Sequence, residues 1–298
     1  MTTFDIFDCK LSLPDSPLSA KEKKLLGFEV RYNNVHDQLR LLLNLDELNG
    51  WSKKFYNKQL AICDLIADQY PFVIFHGDVG TGKTATAECI ANRLIKEAHI
   101  EDSLLFKLSN RVRGSGKVGE MSTLLTQAFS EVKKSVGKTR RAILIIDEGD
   151  SLASARSQEH SHHEDKVAVN TLIQCIDELR AFGGRVLVIL CTNRLTIVDA
   201  ALQRRAAMVE LFKRPDDNER RALLKMDLDG LTLTDPQIED LVKITAPKQN
   251  KPGWTFSDIR TRLYPKAIAK AFPEQKLTFQ HLFDSAMSIE PSPIMEDK

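Results

Sequence analysis

The octapeptide Gly77-Asp78-Val79-Gly80-Thr81-Gly82-Lys83-Thr84 fits the pattern G-x-x-x-x-G-K-[ST]. It sits between a short apolar run that starts at Pro71 and a stretch with helical character that continues from Ala85, which is the context the pattern requires. Glycines allow the backbone to curl until its N–H groups point at phosphate oxygens, and the helix behind them presents its positive end to the same oxygens. Lys83 is placed to reach the β- and γ-phosphates of a nucleoside triphosphate, and Thr84 to give its hydroxyl to Mg²⁺. The expected nucleotide-binding set is therefore Gly77 to Thr84 with Ala85. The cofactors it calls for are ATP and Mg²⁺.

Three further groups complete a hydrolytic site. The apolar run Ala142 to Ile146 leads directly into Asp147-Glu148. A carboxylate at the C-terminal end of a buried strand beside a phosphate loop is placed to associate with Mg²⁺, which assigns Asp147 to the metal. Glu148 is then positioned to orient or deprotonate the attacking water. Val186 to Cys191 runs into Thr192-Asn193, and ligands in open parallel sheets bind at that strand edge, so Asn193 is expected to hydrogen-bond the γ-phosphate or the water. Arg204 and Arg205 stand side by side ahead of an apolar strand. One of them, with Arg205 preferred, is expected to reach into a neighbouring subunit's ATP, a contact typically worth about 10³ to 10⁵ in rate. The plainer alternative is a surface salt-bridge pair.

From Tyr56 onward the chain alternates helical and apolar segments, the signature of an α/β fold with a parallel sheet covered on both faces. Pro71–Phe75, Leu104–Leu108, Ala142–Ile146 and Val186–Cys191 read as buried parallel strands. Met121, Leu124, Leu125, Ala128, Phe129 and Val132 share one helical face, as do Val169, Leu172, Ile173, Ile176 and Leu179. After Phe212 the strand signal stops and Pro215-Asp216-Asp217 opens a helical unit, with helices near 218–226, 236–245, 256–271 and 278–287. The expected organisation is 1–55 as an N-terminal region and linker without strong periodicity, open to a client-binding role, 56–212 as the α/β domain, 213–290 as a small helical domain, and 291–298 as a frayed tail.

The bulk numbers exclude some classes. Lys plus Arg number 42 and Asp plus Glu 41, leaving a formal charge of +1 and no field to draw in polyanions. The five cysteines form no C-x-x-C pair and several lie in apolar runs, as expected of reduced thiols in a cytoplasmic protein. The N-terminus lacks the basic start and apolar stretch of a secretory signal, and no run reaches the roughly 18 apolar residues of a membrane span.

The motifs, in this order and followed by a helical lid, resemble the AAA+ superfamily, and within it the pachytene-checkpoint and thyroid-receptor-interacting ATPases that remodel HORMA-domain proteins. The residues that carry the closer likeness are Ser115-Gly116-Lys117-Val118, Asp147-Glu148 with Ser151-Leu152 and Ala155-Arg156, Val169-Asn170 with Ile176-Asp177, and the stretch 199–206. The likeness covers about 56–265 and implies an AAA+ fold, a parallel five-stranded sheet between helices with a small all-α lid. It implies a homohexamer that grips a HORMA-domain client with central pore loops and partly unfolds it. The short N-terminal region is similar to that of bacterial members that accompany HORMA proteins and nucleotide cyclases in antiphage signalling, which makes a cyclase an indirect partner.

By position the first pore loop would be 110–116 and the second 157–165. Arg111-Val112 stands where an aromatic pair is usual, leaving Val112 to supply an apolar grip. The motif Gly253 to Ile259 is similar to the one that opens the lid's nucleotide-facing helix, with Ser257 where an arginine is usual. Arg260, a turn further on, is the candidate to stand in for it, the alternative being a surface cap. His160, His162 and His163, near Glu159, Glu164 and Asp165, match no closed zinc spacing and read as a solvated loop. Two other functions remain open: a DNA-associated AAA+ ATPase such as a loader or helicase partner, which the neutral charge disfavours, and a nucleotide-gated switch without motor activity.

Overall fold

The computed structural model describes residues 6–100, 102–113, 119–152 and 163–295. A six-stranded sheet in the order β1-β3-β4-β5-β2-β6 forms its centre. The strands are β1 (Phe7–Leu13), β2 (Phe72–Gly77), β3 (Ser103–Leu108), β4 (Ala142–Ile146), β5 (Val186–Thr192) and β6 (Met208–Phe212). β2 to β6 are mutually parallel, as the apolar runs require, while β1 lies antiparallel on β3 with Lys10 opposite Phe106 and Leu13 opposite Ser103.

Alternate residues of each strand go to opposite faces. On one face Ile74, Phe106, Leu144, Ile146, Val188 and Leu190 meet the helices Glu120–Ser135 and His163–Leu179. On the other Phe75, Leu105, Ile143, Ile145, Ile189 and Cys191 meet Phe28–Leu43 and Lys83–Glu97. With both faces covered, β4 and β5 are buried at every position, which is why they are continuous apolar runs.

The region expected to be a short element and linker contributes more than that. β1 extends the sheet, its Phe7 ring 4.9 Å from Phe106, and the helix Ser16–Glu22 follows, its start capped by Asp15 accepting from the Leu18 amide at 2.7 Å. β1 escapes sequence reading because it is an edge strand with only Phe7 and Leu13 fully buried.

The lid is a separate helical core of Leu223, Leu224, Leu241, Trp254, Ile259, Leu263 and Leu282. Capping boxes at Asp216/Glu219 and Thr234/Gln237 start its first two helices, Asp217–Asp227 and Asp235–Thr245. Its third begins with a π-helical turn, Asp258–Leu263, and continues as Tyr264–Ala271. The last helix is Phe279–Met287.

The tail expected to fray makes specific polar contacts at Ser292, Pro293 and Met295. The Ser292 hydroxyl donates to Asp258 at 2.6 Å, the Pro293 carbonyl accepts from Arg214 at 2.9 Å, and the Met295 amide donates to Asp78 at 3.1 Å. Polar side chains of the lid and the phosphate loop satisfy its backbone, and that holds a proline-rich segment in place without secondary structure. Among the described residues no helix is long and apolar enough to cross a membrane.

Phe106 is fully buried where β1, β3 and the first helical layer meet. Phe106→Ala is expected to lower unfolding free energy by about 3–5 kcal/mol, read by urea denaturation, with β1 loosened most in hydrogen exchange.

Candidate active site

β2 ends at Gly77, whose φ of +140° brings it against the backbone carbonyl of Phe212 in β6, where a side chain has no room. The loop then turns through Gly80 (φ +78°) and Gly82 (φ +91°), and Gly82 stands immediately before the helix Lys83–Glu97. At Gly80 an added Cβ would lie 2.6 Å from the Ser257 Cβ and 2.7 Å from the Thr255 hydroxyl oxygen, and the Ser257 amide donates to the Gly80 carbonyl at 3.2 Å. The lid therefore rests directly on the phosphate loop.

Lys83 curls back over the loop. The residue is 7% exposed, and its ammonium donates to the carbonyls of Gly77 (2.8 Å) and Asp78 (2.9 Å) and to the Asn193 side-chain oxygen (2.8 Å). Burial pushes its pKa below the ordinary lysine value despite the opposing pull of Cys191 and the nearby acids Asp147, Asp150 and Asp78. The Thr84 hydroxyl donates to Asp147 Oδ1 at 2.8 Å. Asp147 Oδ2 lies 3.3 Å from the Lys107 ammonium, which is 3.7 Å from Glu88. Burial alone would lower the Lys107 pKa, but Asp147 and Glu88 outweigh it and hold the pKa above its usual value.

Glu148 has a left-handed backbone, φ +50°, a conformation that is uncommon for a residue with a side chain and recurs where function demands it. Its carboxylate accepts from the Asn110 side-chain amide at 3.0 Å. Asn193 is fixed through its backbone amide, which donates to Asp150 at 2.9 Å, and Asp150 also takes the Thr192 hydroxyl. Val79, Gly80, Gly82, Lys83, Thr84, Ala85, Asp147, Glu148, Cys191 and Asn193 line one open cleft of about 270 Å³. The structure thus brings the phosphate-loop residues, both acids and Asn193 together; Asp78 and Thr81 belong to the same loop, with the Thr81 hydroxyl donating to the Asp78 carbonyl at 2.8 Å.

The donor set fits Mg²⁺ and a triphosphate. Thr84 and Asp147 offer hard oxygens within 2.8 Å of each other, and a buried ammonium held by neutral oxygens is a ready partner for an anion.

Other expected residues lie elsewhere. Arg205 is bidentate on Asp177 (2.5 and 3.0 Å), donates to the Ala201 carbonyl at 3.1 Å and lies 5.3 Å from the Tyr70 ring. Arg204 is exposed beside it. Arg260 is also bidentate, on Asp227 (2.6 and 2.7 Å), and reaches the Lys24 carbonyl at 2.8 Å. It is not among the residues lining the cleft. It lies within the π-helical turn Asp258–Leu263, whose repeat is wider than that of an α-helix.

Val112, expected to offer an apolar grip, is 1% exposed and packs in the core under β3, while Arg111 is exposed. The rest of the expected first pore loop, 114–116, and most of the second, 157–162 with His160 and His162, lie outside the described residues.

Asn110, Lys107 and Arg214 were not foreseen. The strand-edge rule that selects Asn193 also selects Asn110, which comes shortly after the end of β3. A single lysine within Leu104–Leu108 was a second signal. Arg214 gave none, since its role depends on a contact with Asp78 from the far end of the domain.

A family model described as ATPase family associated with various cellular activities (AAA) matches residues 73–214. The chain is similar to the CD-NTase-associated protein 6 of Escherichia coli strain KTE188, 62% identical over 297 residues, with 100% of both chains covered. A solved structure described as an E. coli MS115-1 HORMA:CdnC:Trip13 complex contains a chain 35% identical, with a TM-score of 0.89 and 97% of each chain covered. A Rhizobiales Trip13 structure is 29% identical with a TM-score of 0.70, covering 96% of this chain and 99% of that one.

Gly80→Ala forces a Cβ into the lid contact at a left-handed position. It is expected to weaken fluorescent-nucleotide binding at least about tenfold, because the loop or the lid has to move by a carbon diameter.

Proposed function

The chain belongs to the AAA ATPases, in the family of the E. coli CD-NTase-associated protein 6, and from that premise we propose that it hydrolyses ATP in a homohexameric ring and uses the cycle to engage and partly unfold a HORMA-like client. Such remodelling would regulate antiphage signalling, with a nucleotide cyclase as an indirect partner. The presence of a relative in a HORMA:CdnC:Trip13 complex supports these partners.

The observation that carries the hydrolytic part is the pair Asp147-Glu148 at the C-terminal end of β4. Asp147 is turned to the Thr84 hydroxyl and Glu148 is rotated away by its left-handed backbone. Adjacent carboxylates therefore serve two tasks. Asp147 and Thr84 would hold Mg²⁺, which when bound neutralises charge on the phosphates. Glu148 holds the position of a general base for water, and Asn110 restrains its carboxylate. Lys83 would turn from its carbonyl partners toward phosphate oxygens, with Asn193 following its ammonium.

Arg205 remains the preferred finger. Asp177 and Ala201 engage three of its five N–H groups and Tyr70 lies against it, so the guanidinium is pre-oriented. Arg204 is the alternative, exposed beside it. The client grip is assigned to the loops after Asn110 and before the helix His163–Leu179. With Val112 in the core, Asn110 and Arg111 are the exposed residues described at the start of the first.

Two experiments test this reading. Glu148→Gln is expected to cut turnover at least about a hundredfold, the scale of general-base catalysis, while ATP stays bound and a HORMA-domain client co-purifies; full turnover by this variant sinks the hydrolytic assignment. Arg205→Ala is expected to leave nucleotide affinity intact and lower kcat about 10³-fold in assembled protein, against a much smaller loss for Arg204→Ala. The reverse order would transfer the finger to Arg204, and retained kcat in both variants would remove it.

A further inference from the structure

We infer that Arg214 is a positioning residue that ties the phosphate loop to the lid, with the segment Pro291–Met295 as the third anchor of the same tie. The inference rests on the reading that nucleotide binds over Lys83.

Arg214 follows β6 and precedes Pro215, where the chain leaves the α/β domain for the lid. Its guanidinium, largely buried, meets three acceptors from three parts of the chain. Nε donates to Asp78 Oδ2 at 2.6 Å, Nη1 to the Gly253 carbonyl at 2.7 Å, and Nη2 to the Pro293 carbonyl at 2.9 Å. Asp78 is the second residue of the phosphate loop, and its other oxygen accepts from the Met295 amide at 3.1 Å. A rigid planar fork suits such an arrangement; a lysine point charge could not span it.

The tie closes on itself. Gly253 opens the turn whose Thr255 and Ser257 press on Gly80. Asp258, 1% exposed, accepts from the Thr255 amide and hydroxyl at 3.0 Å each, from Arg262 at 2.9 Å, and from the Ser292 hydroxyl at 2.6 Å. The segment from Ser292 then returns to Asp78. The phosphate loop is thus held at Asp78 and at Gly80 by one connected polar network, so neither point can shift against the lid alone. Buried charges of this kind are costly to leave unpaired, which gives the network two states, closed or broken, and makes its breakage a step in nucleotide release.

The test is the dissociation rate of a fluorescent ADP from the full chain, measured by stopped flow for wild type, Arg214→Gln, Asp78→Asn, the double variant, Arg214→Lys and Ser292→Ala. Each of Arg214→Gln and Asp78→Asn is expected to speed release about tenfold, the scale of a charge-assisted hydrogen bond. The double variant should be no faster than the faster single one, and Arg214→Lys should recover only part of the effect. Ser292→Ala, a mild change distant from the loop, should speed release in the same direction and decides the matter if Arg214→Gln does not fold. Multiplying single effects, or rates unchanged beside a lowered melting temperature, would overturn the tie. Failure of wild type to bind the probe would instead overturn the nucleotide reading beneath it.

Discussion

A lysine ammonium buried at the C-terminal edge of a parallel sheet has to be surrounded by oxygen, and much of this molecule is arranged around that need. The partners of Lys83 are two carbonyls of its own loop and the side chain of Asn193, which arrives from the end of β5. The loop can offer those carbonyls only because Gly80 and Gly82 take left-handed backbone angles, and Asn193 is in place only because Asp150 fixes its amide. All three partners are neutral oxygens. A multiply charged anion is a better partner for a desolvated cation than neutral oxygens are, which favours binding of a triphosphate over Lys83.

The acids divide their work by backbone geometry. Asp147 continues the direction of β4 and meets Thr84 and Lys107; Glu148 takes a left-handed turn, which carries its side chain to Asn110. Asn110 begins the short turn Asn110–Arg113 that leads out of β3 toward the expected first pore loop. The residue assigned to water activation is therefore one hydrogen bond from the segment assigned to the client. On the opposite side of the phosphate loop, Thr255 and Ser257 bear on Gly80, so the lid packs directly on the loop. The mechanical coupling proposed for a remodeller would have contacts to run through on each side of the cleft.

How much of this was legible in the sequence depended on how local the cause was. The phosphate loop is a local pattern, and its glycines, lysine and threonine stand together in the structure as their spacing requires. β2, β4 and β5 were legible because burial on both faces leaves a near-continuous apolar run, and β3 because Lys107 is the one charged residue in Leu104–Leu108. β1 was not, because an edge strand with Asp8, Lys10 and Ser12 exposed resembles a polar linker, although the alternation in Phe7–Leu13 was there to be read. Val112 was assigned by position along the chain, and local geometry turned it into the core; Arg260, open to a nucleotide-facing role or a surface cap, stands on a π-helical turn and pairs with Asp227. Arg214 and the tail were out of reach, since their importance lies in contacts between residues far apart in sequence.

The most direct measurement is the affinity of the full chain for Mg·ATP by calorimetry, compared between wild type and Lys83→Met with folding verified by circular dichroism. A fall in affinity of at least about a hundredfold is predicted, as expected when a charge-assisted contact to phosphate is lost from a desolvated site. A folded Lys83→Met protein that binds Mg·ATP as tightly as wild type would contradict the account at its centre.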